Sequence, residues 1–370
     1  MKESTKILHT KLSFEGAAPT VTPIFQNSAF LSTSPHFYSR KSNPNCNEVE
    51  EVIKQIENCS HAIAVNTGMA AINLVLKILK PGDHVLINEL IYGCTYRYIT
   101  DFCAHYNMTL DKVDFENEKG WLDKVTPKTR MLFFETPTNP LLKTINIKNI
   151  SEKAKSKSKQ ALIVVDNTWA TPFFQKPLNH GADICVVSAS KYYAGHSDVM
   201  GGVVTTNSKE LGDQLAAWRF YTGANLDPHA AWLIRRSLQT FPLRMKEHER
   251  KIKIMSSFLS EQPAVAKVYI PEIDGHQLTG YGCILFIELH DKYEPQVLTF
   301  MNSLKLFDRG TSMASVVSSV AQPYSGSHAS MTEHEKSKVG IKKTLVRLCF
   351  GLEDEEDLVA DISQALKALA

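Results

Sequence analysis

The chain has 370 residues, 43% of them hydrophobic and 22% charged, an ordinary composition for a globular protein of one large and one small domain. A formal net charge of +2 carries no polyanion signal, so nucleic acid and anionic membrane are excluded as expected partners. Seven scattered cysteines without a C-x-x-C pair, no apolar leader in "MKESTKILHTKLSFEG" and no apolar run of ~18 residues point to a reduced, cytoplasmic chain with no disulfide framework.

Residues 1–45 read as an irregular arm, punctuated by Pro19, Pro23, Pro35 and Pro44. In "NEVEEVIKQIENC", Val49, Val52, Ile53 and Ile56 recur at helical spacing. From residue 61 short apolar runs alternate with helical patterns. "HAIAV", "HVLINE", "TLDKVDF", "RMLFFE", "ALIVVD" and "ADICVV" read as strands; "TGMAAINLVLKILKPG", "YGCTYRYITDFCAHY" and "NIKNISEKAKSKSK" read as helices. Near-continuous apolar strands in β-α-β order predict a mostly parallel sheet covered by helices on both faces. The stretch from Pro228 to about residue 262 reads as long helix. Beyond it, "AVAKVYI", "CILFIEL" and "TLVRLCFGLE" predict strands, with helices at "PQVLTFMNSL" and "EEDLVADISQALKALA". The expected division is an arm over 1–45, a large α/β domain over 46–240 and a smaller α+β domain over 241–370.

In a parallel sheet, sites form outside the carboxyl ends of the strands. The residues just past those ends are Gly68 and Met69 opening a helix, then Tyr92, Asn139, Asp166, Ser188, Ser190 and Lys191. Taken singly, each has a commonplace explanation: a turn glycine, a helix cap, a surface lysine, a rim tyrosine. Taken together they match one ligand. Helix N-terminal amides and serine hydroxyls bind phosphate. A lysine condenses with an aldehyde. A carboxylate holds a pyridine nitrogen protonated, and a tyrosine stacks on a flat ring. The molecule with all four features is pyridoxal phosphate, an electron sink for negative charge at an amino-acid Cα.

The same segments resemble the cysteine/methionine-metabolism family of fold-type I pyridoxal-phosphate enzymes, which holds cystathionine γ-synthases, cystathionine β- and γ-lyases and methionine γ-lyases. The resemblance runs from about residue 20 to the end. "SASKYYAGHSD" is similar to the motif that carries the Schiff-base lysine, implying Lys191 in that role with Ser188 and Ser190 on the phosphate. "VVDNTWATP" implies Asp166 at the pyridine nitrogen, and "NTGMAAI" implies phosphate-binding amides at Gly68 and Met69. "YGCT" implies Tyr92 over the ring, where it also acts as an acid, and "ETPTNP" implies Asn139 near the cofactor 3-hydroxyl and the substrate carboxylate. "FYSRKSNP" implies that Tyr38 and Arg40 reach the phosphate site of a neighbouring subunit, in a homotetramer built as a dimer of dimers. "VRLCFGLED" implies Arg347 as the clamp for the substrate α-carboxylate.

In motifs the chain lies nearest methionine γ-lyases, with which it shares Cys94. An ungapped register from Ser312 through His328 to Arg347 implies Ser312 as a second carboxylate contact and Thr311 as a specificity position. A competing register through "FDRGTS" places Asp308 or Arg309 there instead. The resemblance thus implies α,γ-elimination on methionine or a related sulfur amino acid, through an internal aldimine and a quinonoid. The alternatives are γ-replacement and cystathionine β- or γ-elimination. Departures include Cys46, Arg219, Phe220, Ser237, Cys283 and Cys349, where the family carries other residues.

Overall fold

The computed structural model describes residues 2–10, 19–310, 312–329 and 331–369. Seven strands form the larger sheet: β1 (His61–Val65), β2 (His84–Asn88), β3 (Thr109–Val113), β4 (Thr129–Glu135), β5 (Leu162–Asp166), β6 (Ile184–Val187) and β7 (Gly202–Thr206). Their order is β1-β7-β6-β5-β4-β2-β3. Only β7 runs against its neighbours; the pairs from β6 through to β3 are parallel. The carboxyl ends of the other six strands, and the start of β7, therefore lie along one edge.

Alternation along β4 explains why the sheet is covered on both faces. Met131 and Phe133 join a core with Ile72 and Val75 of the helix Gly68–Leu76, whereas Leu132 and Phe134 join Ile147 and Ile150 of the helix Ile147–Lys157. All four strand side chains are fully buried, each contributing about 1.5–3 kcal/mol through removal from water.

A second sheet of five strands comprises β8 (Val265–Tyr269), β9 (Ile284–Leu289), β10 (Asp308–Arg309), β11 (Ser319–Ala321) and β12 (Leu345–Cys349), ordered β10-β11-β12-β9-β8. Here too alternation positions the site. Val346 and Leu348 of β12 pack with Leu358 and Ile362 of the C-terminal helix Glu355–Lys367. Leu345 and Cys349 face the core that also holds Tyr192, Trp169 and Ala189 of the larger sheet's edge. Arg347 lies between them in the alternation, on that same face.

Four of the differences between the structure and the sequence reading bear on how the site is held. The first ten residues are not wholly irregular: Glu3–His9 is a helix whose Ile7 is buried against the helix Pro44–Glu57. The helix after β1 ends at Leu76, short of Pro81. The long helical stretch is two helices, Pro228–Leu238 and Phe241–Ser260; Pro242 cannot donate to an earlier carbonyl, so it opens a helix and does not continue one. Strand β7 and the helix Lys209–Thr222 emerge from a segment to which the sequence reading assigned no element. Among the described residues no helix is long and apolar enough to cross a membrane.

Candidate active site

The shared edge gathers groups from the carboxyl ends of five strands. Asp166 ends β5, and its Oδ1 accepts from the Thr168 amide at 3.0 Å and from Thr168 Oγ1 at 2.6 Å. Thr168 Oγ1 in turn accepts the Ser188 N–H at 2.9 Å, joining the end of β5 to the end of β6. Burial pushes the Asp166 carboxyl above the usual range, and the two Thr168 bonds pull it back down.

Ser188 closes on the helix that follows β1. A Cβ on Gly68 would lie 2.9 Å from Ser188 Cβ and 3.0 Å from its Oγ, so this approach needs glycine. Gly202, at the start of β7, is as constrained: its Cβ would come within 2.2 Å of the Thr67 carbonyl oxygen. Thr67 caps the helix by accepting from the Ala70 amide, and the first intrahelical bond runs from Ala71 to Thr67. The amides of Gly68 and Met69 thus fall in the turn that has no intrahelical partner. Together with Ser188 they form an anion cradle at a helix N-terminus. The Ser190 hydroxyl is engaged otherwise, donating to the Gly201 carbonyl at 3.2 Å and accepting the Gly201 N–H at 2.9 Å.

Lys191 is half-buried at this edge. Burial lowers its pKa, the Arg347 charge lowers it further and Cys349 opposes them. A buried amine with a neighbouring cation surrenders its proton readily and becomes a nucleophile. Arg347 is 4% exposed, and its Nη2 donates to the Ser312 carbonyl at 2.8 Å. It is thus the main chain of Ser312, not the hydroxyl, that meets the guanidinium.

Tyr92 precedes the helix Gly93–His105 and remains 39% exposed, available to a flat ligand. Burial, a hydrogen bond with Cys94 and the Glu135 charge push its phenol up to about 12 against the opposing field of Arg347. The phenol therefore holds its proton at neutral pH. Asn139 is 4% exposed; its Oδ1 is buried and takes no hydrogen bond from the described residues. Its carbonyl meets His328 Nε2 at 3.1 Å, which fixes the Asn139 loop from the second sheet's side.

Three residues here were given no site role from sequence. Thr168 and Glu135 stand in quoted motifs, at strand ends, so position alone marked them. His328 has no local signal, since its partner is 189 residues away. Tyr38 and Arg40 lie elsewhere in the chain: Arg40 donates to the Phe220 carbonyl at 2.8 Å, with its guanidinium carbon 4.3 Å from the Phe220 ring centroid. Asp308 and Arg309 form the exposed edge strand β10. Thr311 lies outside the described residues.

The residues fit pyridoxal phosphate. The Gly68–Ser188 cradle suits its phosphate, Asp166 its pyridine nitrogen, and the buried acceptor of Asn139 its 3-hydroxyl. The class that this sheet order and this edge define is fold type I of the pyridoxal-phosphate-dependent enzymes. Within that class the chain belongs to the Cys/Met metabolism family of pyridoxal-phosphate-dependent enzymes, which it matches over residues 4–367. It is 36% identical over 377 residues to a cystathionine beta-lyase of Lactococcus lactis subsp. cremoris, covering 98% of both chains. It is 35% identical over 371 residues to an L-methionine gamma-lyase of Fusobacterium nucleatum subsp. polymorphum, covering 94% of this chain and 93% of the relative. The crystal structure of a cystathionine gamma-lyase from Lactobacillus plantarum complexed with L-serine superposes with a TM-score of 0.94 at 33% identity, covering 100% of this chain and 99% of that one. The protein is thus a pyridoxal-phosphate-dependent enzyme of sulfur amino-acid metabolism.

Proposed function

We propose that the enzyme is a carbon–sulfur lyase performing α,γ-elimination on methionine or a related γ-substituted amino acid, releasing a thiol, ammonia and a 2-oxo acid. The observation that carries this reading is the relation of Tyr92 to its neighbours: a phenol kept protonated by burial and Cys94, within the field of the Arg347 guanidinium. A protonated acid beside a carboxylate clamp suits expulsion of a thiolate from Cγ, which needs a proton delivered at sulfur.

When bound, pyridoxal phosphate supplies the sink for negative charge at Cα. Ser188 and the amides of Gly68 and Met69 hold its phosphate, with Ser190 tied to Gly201 behind them, Asp166 holds its pyridine nitrogen, Asn139 its 3-hydroxyl, and Tyr92 covers its ring. Lys191 is the residue that joins its aldehyde. Arg347 binds the substrate α-carboxylate, with Ser312 and Asn139 beside it. Once free, the Lys191 amine, its proton affinity lowered by burial and Arg347, would remove the Cα proton and, after passing that proton on to the bound cofactor, the Cβ proton. Tyr92 delivers a proton to the departing sulfur. Cys94 borders the γ-substituent. Tyr38 and Arg40 complete a neighbouring subunit's phosphate site, so the working unit is at least a dimer, within a homotetramer. Exposed apolar groups on the same stretch, Leu31 at 81% and Phe37 at 70%, support a partner chain there.

Elimination from cystathionine is the second reading, favoured by the 36% identity to a cystathionine beta-lyase. Separate incubations with methionine, O-acetylhomoserine, cystathionine and cysteine decide between them. Oxo acid and methanethiol from methionine support the first reading, whereas a product carrying an added nucleophile, without oxo acid, overturns it in favour of γ-replacement. Lys191→Ala is expected to take up pyridoxal phosphate without the visible band of the lysine-bound form and to lose turnover. An active monomer in sedimentation would contradict the shared site.

A further inference from the structure

We propose that Glu135 is a positioning residue for this active site: its carboxyl group ties the loop carrying Tyr92 to the loop carrying Asn139, and so sets those two residues in register with each other. The inference rests on the reading of Tyr92 and Asn139 as cofactor contacts given above.

Glu135 is the last residue of β4 and is 2% exposed. Its Oε1 accepts the Tyr92 N–H at 2.9 Å, across to the loop that follows the neighbouring strand β2. The Asn139 N–H, four residues on in Glu135's own loop, also bears on this carboxyl. One side chain thereby spans two strand-end loops that carry different cofactor contacts. Neither loop has a ladder to hold it, because both lie beyond the last strand pairing.

The second oxygen explains why this carboxyl does not compete with Asp166. Glu135 and Asp166 are register partners on β4 and β5. Glu135 Oε2 is buried with no hydrogen-bond partner among the described residues. An ionised carboxylate with one bare oxygen, beside a second carboxylate, is costly in such a place. Burial and the Asp166 charge push the Glu135 carboxyl well above its ordinary value, toward the neutral acid. In the neutral form the carbonyl oxygen still accepts the Tyr92 N–H, and repulsion between the two carboxyl groups is relieved. Glutamine reproduces that arrangement, with an amide NH₂ in place of the acid hydroxyl.

The test compares Glu135→Ala and Glu135→Gln with the wild type. In the cofactor-free proteins, hydrogen exchange is read at the Tyr92 and Asn139 amides. Alanine is expected to speed exchange at both, and glutamine to retain protection at both. In the loaded enzymes, alanine is expected to lower kcat about 10²-fold with a smaller change in KM, as a misplaced reacting geometry does, and glutamine to restore most of it. Unchanged exchange in the alanine variant overturns the proposal. So does a folded glutamine variant as fast in exchange and as slow in turnover as alanine. Should the alanine variant fail to fold, the glutamine variant decides alone, since retained protection and visible band support the proposal and their loss overturns it. Exchange is measured without cofactor, so its outcome is separate from that of the functional reading. A wild type that never colours with pyridoxal phosphate defeats the function while leaving the exchange result standing.

Discussion

Thr168 Oγ1 donates to Asp166 Oδ1 at 2.6 Å while accepting the Ser188 N–H at 2.9 Å. One hydroxyl thus fixes the orientation of the carboxylate proposed for the pyridine nitrogen and the position of a serine proposed for the phosphate. Thr168→Val keeps the shape and removes both bonds. Since Thr168 lowers the Asp166 pKa, its loss raises it, and the acid limb of the pH–rate profile moves to higher pH. A hydrogen bond to a charged group is worth about 1.5–3 kcal/mol, so kcat is expected to fall about 10- to 100-fold. Thr168→Ser should restore it, and steady-state kinetics across pH checks both points.

Gly68→Ala tests the phosphate cradle. The new Cβ would meet Ser188 Cβ at 2.9 Å, and Ser188 is held on its other side through its amide to Thr168. The expected result is a folded protein that binds pyridoxal phosphate at least tenfold more weakly, about 1.4 kcal/mol. Titration of the cofactor-free protein with pyridoxal phosphate measures it, and circular dichroism reports the fold.

Cys349 is 2% exposed, at the end of β12 on the same face as Arg347. Burial works against its ionisation, yet the Cys283 hydrogen bond, the Arg347 charge, Ser319 and Lys191 together bring the thiol down to about 6. Thiolate absorbance in the ultraviolet is expected to rise through that pH in the cofactor-free protein. Cys349→Ser should abolish this step, and Cys283→Ala should move it to higher pH by removing a stabilising partner. Loss of the thiolate is also expected to lower the proton affinity of Lys191 further, because Cys349 is the neighbour that raises it.

Glu57, in the helix Pro44–Glu57, is 1% exposed, and its Oε2 has no hydrogen-bond partner among the described residues. Burial raises its carboxyl from 4.5 to about 8, although Lys176 and the Tyr193 hydroxyl oppose that rise. A folded-state pKa above the unfolded one gives stability that is complete below 4.5 and lost as pH climbs through about 8. Glu57→Gln removes the titration. Its unfolding midpoint is expected to fall less than that of the wild type over this window, as urea denaturation at a series of pH values would show.

Much of the fold was legible because parallel strands buried on both faces must be apolar throughout: "HVLIN", "LIVVD" and "ICVV" became β2, β5 and β6. Strand β7 was less so. "GVVTT" is short, begins at the second of two glycines and pairs antiparallel with both β1 and β6. The break at Thr240 was written in Pro242 but overridden in the reading by the apolar pattern on either side. The edge strand β10 and its neighbour β11, of two and three residues, carry no period at all.

For the site, sequence determined which chemical groups stand at strand ends, because a strand's carboxyl terminus is set by where its apolar run stops. Lys191, Asp166, Ser188, Gly68 and Asn139 follow from that rule and from motif resemblance. Tertiary structure alone decided how these groups are held. The Arg347 charge acts on Lys191 because alternation on β12 turns it toward the larger sheet, and His328 reaches Asn139 across 189 residues. Glu135 and Asp166 share a register only because β4 and β5 pair with those residues in line. A proton's affinity for a buried group depends on what surrounds it in space, and no spacing along the chain encodes that.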